Sequence, residues 1–403
     1  MTVTQIIDVK YDLLSLKIKE KIKEINAMSL TTDIWTDTLN TKSYLGLTGH
    51  FIDEEKLQSI TFGVTELEER HNAEYLISAV VTDNGSNIVK TVVDLYGKNK
   101  HFPCFAHTLI LMANKPFNEK NGLNNVKVLL GFMELYLLPT REIKLADKIA
   151  PILLSNSKAL PMLTAAQLDA LKDLIQIYES LEVFTKEVLG ENYVTSSKII
   201  PMIYCLNKSI GAVQPNTILG YETKTIIINE IHKRFGAIEQ VHSLAISTLL
   251  DPRFKKIYFI DKIACFQAIS KTTLMLSAVE TEIETNQFLP LDESTRSLNV
   301  KDVKSAGNIW RFHRTLVKEN QPVEDLKKCD PVKYWCIHKD TMYKKISKIV
   351  YKYMCIVGTS VPSERLFSIA GNIVTPSRNR LSGKRLQKLI FLKSLDEKHW
   401  NIK

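Results

Sequence analysis

Residues 29–67, SLTTDIWTDTLNTKSYLGLTGHFIDEEKLQSITFGVTEL, hold three runs of β-branched and aromatic residues separated by two polar stretches. Ser29–Trp35 reads as a first strand, Thr36–Thr41 as a turn, and Tyr44–Ile52 as a second strand. Asp53–Lys56 makes a second turn, and Leu57–Leu67 alternates as a third strand. Two short turns joining three strands dictate an antiparallel meander.

The reading extends outward from that meander. Before it, residues 11–28 place Leu13, Leu14, Leu16, Ile18, Ile22, Ile25 and Met28 mostly on one side of a helix with Lys and Glu between them. After it, Val80–Thr82 is a short apolar strand ending at Asp83-Asn84-Gly85. Ile88–Tyr96 is helical and stops at Gly97. Phe102–Phe105 is one more short strand, and Ala106–Ala113 continues as helix. The first 115 residues are therefore α+β with a small mixed sheet. Beyond them the chain is mostly helical, with apolar stripes over 165–189, 197–213, 223–235, 243–250, 261–284, 343–353, 363–370 and 381–395. Residues 287–330 are polar and without sustained period, and read as a linker.

Composition narrows the function classes. Of 403 residues, 24% are charged and 45% apolar, the balance of a globular chain rather than a disordered one. No uncharged apolar run reaches the length of a membrane span, so no membrane partner is expected. Six cysteines are too few for a disulfide framework. The net charge is +9 and it is uneven. From Asn372 to Lys403, eight basic residues stand against Asp396 and Glu397, a net of +6. Arg378, Arg380, Lys384 and Arg385 could track a nucleic-acid backbone or form the solvated side of a helix.

Asp33 falls within the first strand and Asp83 at the end of the fourth. If those strands are neighbours, both carboxylates meet at one edge of the sheet. Hard oxygen ligands there suit Mg²⁺, and two such ions clamp an in-line phosphoryl displacement. An Asp in a turn also has an ordinary reading as turn chemistry.

The words around these acids resemble the transposase domain of the hAT superfamily. They are Ser29–Asp37, Tyr44–Ile52, Val81–Asn87 (VTDNGSN), Cys104–Leu109 (CFAHTL), Thr248–Lys256 (TLLDPRFKK) and Asp330–Trp335 (DPVKYW). Thr359–Leu381, TSVPSERLFSIAGNIVTPSRNRL, is similar to the family's C-terminal dimerisation region. The likeness is greatest to the BED-type zinc-finger transposase-like members. It implies a ribonuclease-H-like mixed sheet interrupted by a large all-helical insertion. The segments are then 1–28 (N-terminal helix), 29–115 (first part of the catalytic fold), 116–286 (insertion), 287–330 (linker) and 331–403 (dimerisation region completing the fold).

Carried over residue by residue, the resemblance places the family's acidic triad on Asp33, Asp83 and Glu364. These three would bind Mg²⁺ or Mn²⁺ in an active enzyme. Its Cys-x-x-His element falls on Cys104 and His107, for which a packed or second-shell role is the expectation. Leu366, Phe367, Leu386, Leu389 and Ile390 are expected at a dimer interface or in a core. Three departures stand out. Only Glu68–Ala79 separates the third strand from Val80, a minimal parallel crossover in which any helix would span Asn72–Ala79, leaving one sheet face bare. The family's Trp is missing after Pro139-Thr140-Arg141. No cysteine spacing fits a BED finger, so no zinc is expected in this chain. The expectation is a nuclear, transposase-derived homodimer that is truncated and non-catalytic, with DNA as a further partner. The alternative is an active Mg²⁺-dependent transposase that cleaves and joins DNA strands.

Overall fold

The computed structural model describes residues 2–37, 42–53, 55–66, 77–119, 165–189, 194–285, 330–337, 344–374 and 382–395. The linker over 287–329 and the junction at residues 139–154 lie outside the described residues.

Helix α1 (Val3–Glu24) begins eight residues earlier than its apolar pattern suggests. Thr2 and Gln5 form a capping box in which each side chain satisfies the other's backbone N–H. The strands follow as β1 (Met28–Asp37), β2 (Lys42–Asp53), β3 (Lys56–Glu66) and β4 (Ile77–Thr82). Helix α2 (Ser86–Tyr96), strand β5 (His101–Pro103) and helix α3 (Phe105–Glu119) complete the first part. The boundary expected after residue 115 falls inside α3, where Phe117 still packs against a buried neighbour, Leu174.

The sheet order is β3-β2-β1-β4-β5. β1–β2 and β2–β3 pair antiparallel, and β1–β4 and β4–β5 parallel. The meander is thus as expected, and the polypeptide re-enters the sheet beside β1. β4 starts at Ile77 rather than Val80, so Ile77–Ala79 are strand and the expected crossover helix cannot include them.

The remaining described helices are α4 (Ala165–Val188), α5 (Ile199–Ala212), α6 (Ile218–Phe235), α7 (His242–Leu250), α8 (Lys262–Thr285), α9 (Pro331–Ile337), α10 (Lys344–Met354), α11 (Val361–Ile373) and α12 (Gly383–Ser394). All but α9 end within a few residues of the stripes that announce them; α9 has no apolar stripe in the sequence reading.

Side chains alternate across β1 with the period of a strand. Met28 and Leu30 enter one core with Leu14 and Ile18 of α1, Phe51, Ile60, Val80, and Phe391 and Leu392 of α12. This corrects the expectation of a bare sheet face. α1 and α12, from the two ends of the described chain, cover it together with Ile88 and Val92 of α2. The opposite face carries Ala79 and Val81, which join a large core built from α3–α8 and α10. α11 crosses β1 and β2, and α12 packs on β3, α11 and α1.

Two of the family-like words meet inside the helical part. Trp335 donates its indole N–H to the Leu250 carbonyl at 2.8 Å. Beside it Asp251, fully buried, is held by the Arg253 guanidinium at 2.6 Å and by the Ser197 hydroxyl at 2.6 Å. A buried charge needs such pairing, since its desolvation otherwise costs on the order of several kcal/mol per ion. The Asp-Pro-Arg spacing is therefore an internal clamp between the end of α7 and the turn before α5, with α9 tied alongside through Trp335.

Candidate functional site

Ser29, Thr31 and Asp33 point to the same side of β1, toward α11. Ser29 Oγ donates to the Cys355 carbonyl at 2.7 Å, just after α10. The Ser363 hydroxyl donates to Thr31 Oγ1 at 2.9 Å, and Thr31 Oγ1 is 3.0 Å from Nε2 of the buried His50. Asp33 lies one step further toward the C-terminal end of the strand, paired in register with Gly46 of β2. A Cβ on Gly46 would stand 2.8 Å from the Phe367 ring, so a glycine there lets α11 sit directly on the strand beside Asp33.

Asp83 follows β4, the parallel neighbour of β1. Its Oδ1 accepts the Gly85 N–H at 3.0 Å, and Asn84 between them takes a left-handed φ of 76°, which Asn tolerates better than most residues. The turn-chemistry reading of Asp83 and its place at the sheet edge are therefore both realised. Glu364 sits in the first turn of α11, exposed, where the positive end of the helix dipole favours a carboxylate. Its Oε1 accepts from the Ser360 hydroxyl at 3.1 Å.

These acids share one electrostatic site. The Asp33 carboxyl is pushed up to about 6, first by burial and then by the neighbouring Asp83 and Glu364, against the lowering effect of the Ile34 N–H at 2.8 Å. The fold thus brings together positions 33, 83 and 364 from two strands and a helix far along the chain. Oxygen-only chemistry of this kind suits Mg²⁺. Among the described residues, however, no group of three or more His, Cys, Asp and Glu side chains converges closely enough to hold a metal ion. The three acids are neighbours in charge rather than a closed coordination cage.

Cys104 lies behind Glu364. Its backbone N–H donates to the Thr82 carbonyl at 2.7 Å, and its buried thiol accepts from the Ser360 N–H at 3.3 Å and the His107 N–H at 3.4 Å. Burial raises the Cys104 thiol, and Glu364 adds to the rise. Phe105 N–H also donates to the Gly358 carbonyl at 2.9 Å. The Cys-x-x-His segment therefore ties the start of α11 to the end of β4. His107 is half-buried on α3. Ser360, which touches both Cys104 and Glu364, was missed in the sequence. The available signal was its place just before a Pro-containing helix start with Glu364 in the first turn.

The expected interface residues have a different environment. Leu366, Leu386 and Ile390 are buried inside this chain with Tyr44, Ala370 and Val374, and Phe367 is partly buried against the same cluster. Leu389 is half-buried. Of the basic set, Lys384 is exposed. Arg385 is half-buried and bonded to α1 through Asp8 and the Thr4 carbonyl, both at 3.4 Å. Arg378 and Arg380 lie outside the described residues.

The hAT family C-terminal dimerisation region matches residues 312–395, which include α9–α12. The human zinc finger BED domain-containing protein 4 is 22% identical over 467 aligned positions, covering 95% of this chain and 39% of that protein. The Hobo transposable-element transposase of Drosophila melanogaster is 29% identical over 135 positions, covering 29% of this chain and 20% of that protein. The chain thus spans well under half the length of either relative. The dimerisation region at its C-terminal end and a likeness to a BED-type protein running over nearly all of its length together support a hAT-family transposase-like protein.

Proposed function

We propose that this transposase-derived chain works as a homodimer in the nucleus, engaging DNA without cutting it. The observation that carries this reading is the dimerisation region at 312–395. Its α11 and α12 are built into the sheet on both faces, so the region is an integral part of the folded body. The nuclear setting and the DNA partner are supported by the relatives, a transposase and a BED zinc-finger protein. Lys384 supplies exposed positive charge at the start of α12, and Arg378 and Arg380 add to it in sequence. Non-specific contact of this type weakens steeply with salt. Sedimentation of the full chain tests the dimer, and a salt titration of binding to a DNA duplex tests the partner. A monomer at all concentrations, or no DNA retention at low salt, counts against it.

A second reading has its own observation. Asp33 feels the charges of Asp83 and Glu364, and the three are the positions of the family triad that the resemblance implies. In this reading Asp33, Asp83 and Glu364 would hold Mg²⁺ or Mn²⁺, which would supply Lewis-acid activation for strand cleavage and joining. Asp33 and Glu364 bring the charge, and Ser360 with Cys104 holds Glu364 in place from behind. Incubation with Mg²⁺ or Mn²⁺ and a terminal-repeat duplex decides between the readings. Nicking that disappears in Asp33→Asn establishes the enzyme.

A further inference from the structure

Helix α1 has two apolar stripes. One, Ile7, Tyr11, Leu14, Ile18 and Ile22, faces inward onto the sheet and α12. The other, Val3, Ile6, Val9, Leu13 and Leu16, is exposed, each side chain by 45% to 74%. Ile6, Val9, Leu13 and Leu16 are spaced three, four and three residues apart, the a/d seam of a two-helix contact. At about 1.5 Å per residue the seam runs for roughly 15 Å. An exposed apolar row on a soluble helix is an interaction surface or a liability.

We propose that this outer stripe is a self-association surface, and that the second copy of this chain docks there as part of the dimer interface. The inference rests on the dimerisation reading above. Two observations select a second copy as the occupant. First, the stripe adjoins the dimerisation region. α1 packs on α12 through Tyr11 and Phe391, whose rings are 5.0 Å apart, and through Asp8, which accepts from Lys388 at 2.8 Å. Meanwhile Leu366, Leu386 and Ile390 of that region are closed inside their own chain. Among the described residues, the exposed apolar row that adjoins α12 is that of α1.

Second, the flanking charges are self-complementary. Asp12 precedes the seam residue Leu13 and Lys17 follows Leu16. Both are exposed, and neither has an ion-pair partner among the described residues. In a parallel pair of heptads such positions, five residues apart, face each other across the seam. Asp12 of each copy then meets Lys17 of the other, twice by symmetry. An antiparallel pair would instead set Lys10 against Lys17.

Sedimentation velocity on the full chain over a hundredfold concentration range tests this. The double variant Leu13→Glu/Leu16→Glu is expected to weaken the dimer at least tenfold, with far-UV circular dichroism and melting temperature unchanged because both side chains are at the surface. Asp12→Lys is expected to weaken it, and Asp12→Lys/Lys17→Asp to restore it. If the double variant does not fold, Leu13→Cys replaces it. Mild oxidation should then give disulfide-linked dimers above the background set by the exposed Cys205 of the wild type. A wild-type dimer that survives the double variant, or cross-linking at background, overturns the α1 surface and leaves dimerisation standing. A wild-type monomer throughout overturns both.

Discussion

The Ser363 hydroxyl of α11 donates to Thr31 Oγ1 of β1 at 2.9 Å, joining residues 332 positions apart. The bond is one link in a buried polar chain. Thr31 Oγ1 meets His50 Nε2 at 3.0 Å, and His50 Nδ1 meets Ser59 Oγ at 2.8 Å. Burial holds the His50 imidazole down at about 3, so it is neutral at physiological pH. A neutral ring donates from one nitrogen and accepts at the other, which lets it relay bonds from α11 across three strands. The chain sets the height of α11 over the sheet and hence the position of Glu364, the residue after Ser363.

Removing the first link should loosen the helix. Ser363→Ala is expected to cost about 1–2 kcal/mol in denaturant unfolding, the usual loss for a buried hydrogen bond whose partner is left behind. His50→Leu should cost more, because it strands both Thr31 and Ser59. Equal stability of the wild type and both variants would show that the polar chain contributes nothing.

Asp33 predicts an opposite sign. Its folded carboxyl titrates near 6 and its unfolded one near the ordinary value of 3.8. Between those values the folded chain keeps a proton that the unfolded chain has released, so stability falls as pH rises through the window. Asp33→Asn keeps an oxygen for the Ile34 N–H and removes the charge. It should raise stability by about 1–3 kcal/mol at pH 7.5 and hardly at all at pH 4, at about 1.4 kcal/mol per unit of displacement. Thermal melts at the two pH values give the comparison, and a destabilised variant at pH 7.5 would contradict it.

Asp173 makes a structural carboxylate legible. Although burial works against its charge, bonds from the Thr217 hydroxyl at 2.7 Å and from the N–H groups of Asn216 and Thr217 hold it below its ordinary value. It anchors the start of α6. The close approach needs Gly220, where a Cβ would stand 2.6 Å from Asp173 Cβ. Asp173→Ala should cost about 1–3 kcal/mol, since it removes the acceptor shared by Asn216 and the half-buried Thr217 at the start of α6. That loss should shrink as pH falls through the folded pKa, where the wild type loses the same interaction. A pH-independent loss would point to packing alone.

Leu386 and Ile390 separate interface from core. Each Leu or Ile to Ala change at a buried site costs about 2–5 kcal/mol, and both side chains are closed inside this chain. The double alanine variant should therefore lower the melting temperature of the chain at any concentration. A variant that melts like the wild type yet fails to dimerise would place these residues at the interface instead. Deletion of 359–403 would uncover both faces of the sheet, so aggregation is the expected outcome in sizing runs.

The sequence by itself determined the meander, the order of the helices and the location of the acids, because period and turn chemistry are local properties. Residues 29–67 alternate as strands must, and the words holding Asp33, Asp83 and Glu364 were visible as words. The tertiary structure alone decided what covers the sheet and what the dimerisation word packs against. Leu366, Leu386 and Ile390 form an apolar stripe that reads equally as core or interface. Only their contact with Tyr44, more than 300 residues earlier in sequence, makes them core. The same holds for α1, whose apolar residues read as one side in sequence and are divided by the structure, Leu14 and Ile18 meeting the sheet and Leu13 and Leu16 facing outward. Local pattern records that a side chain must leave water. The partner that removes it is set by long-range packing.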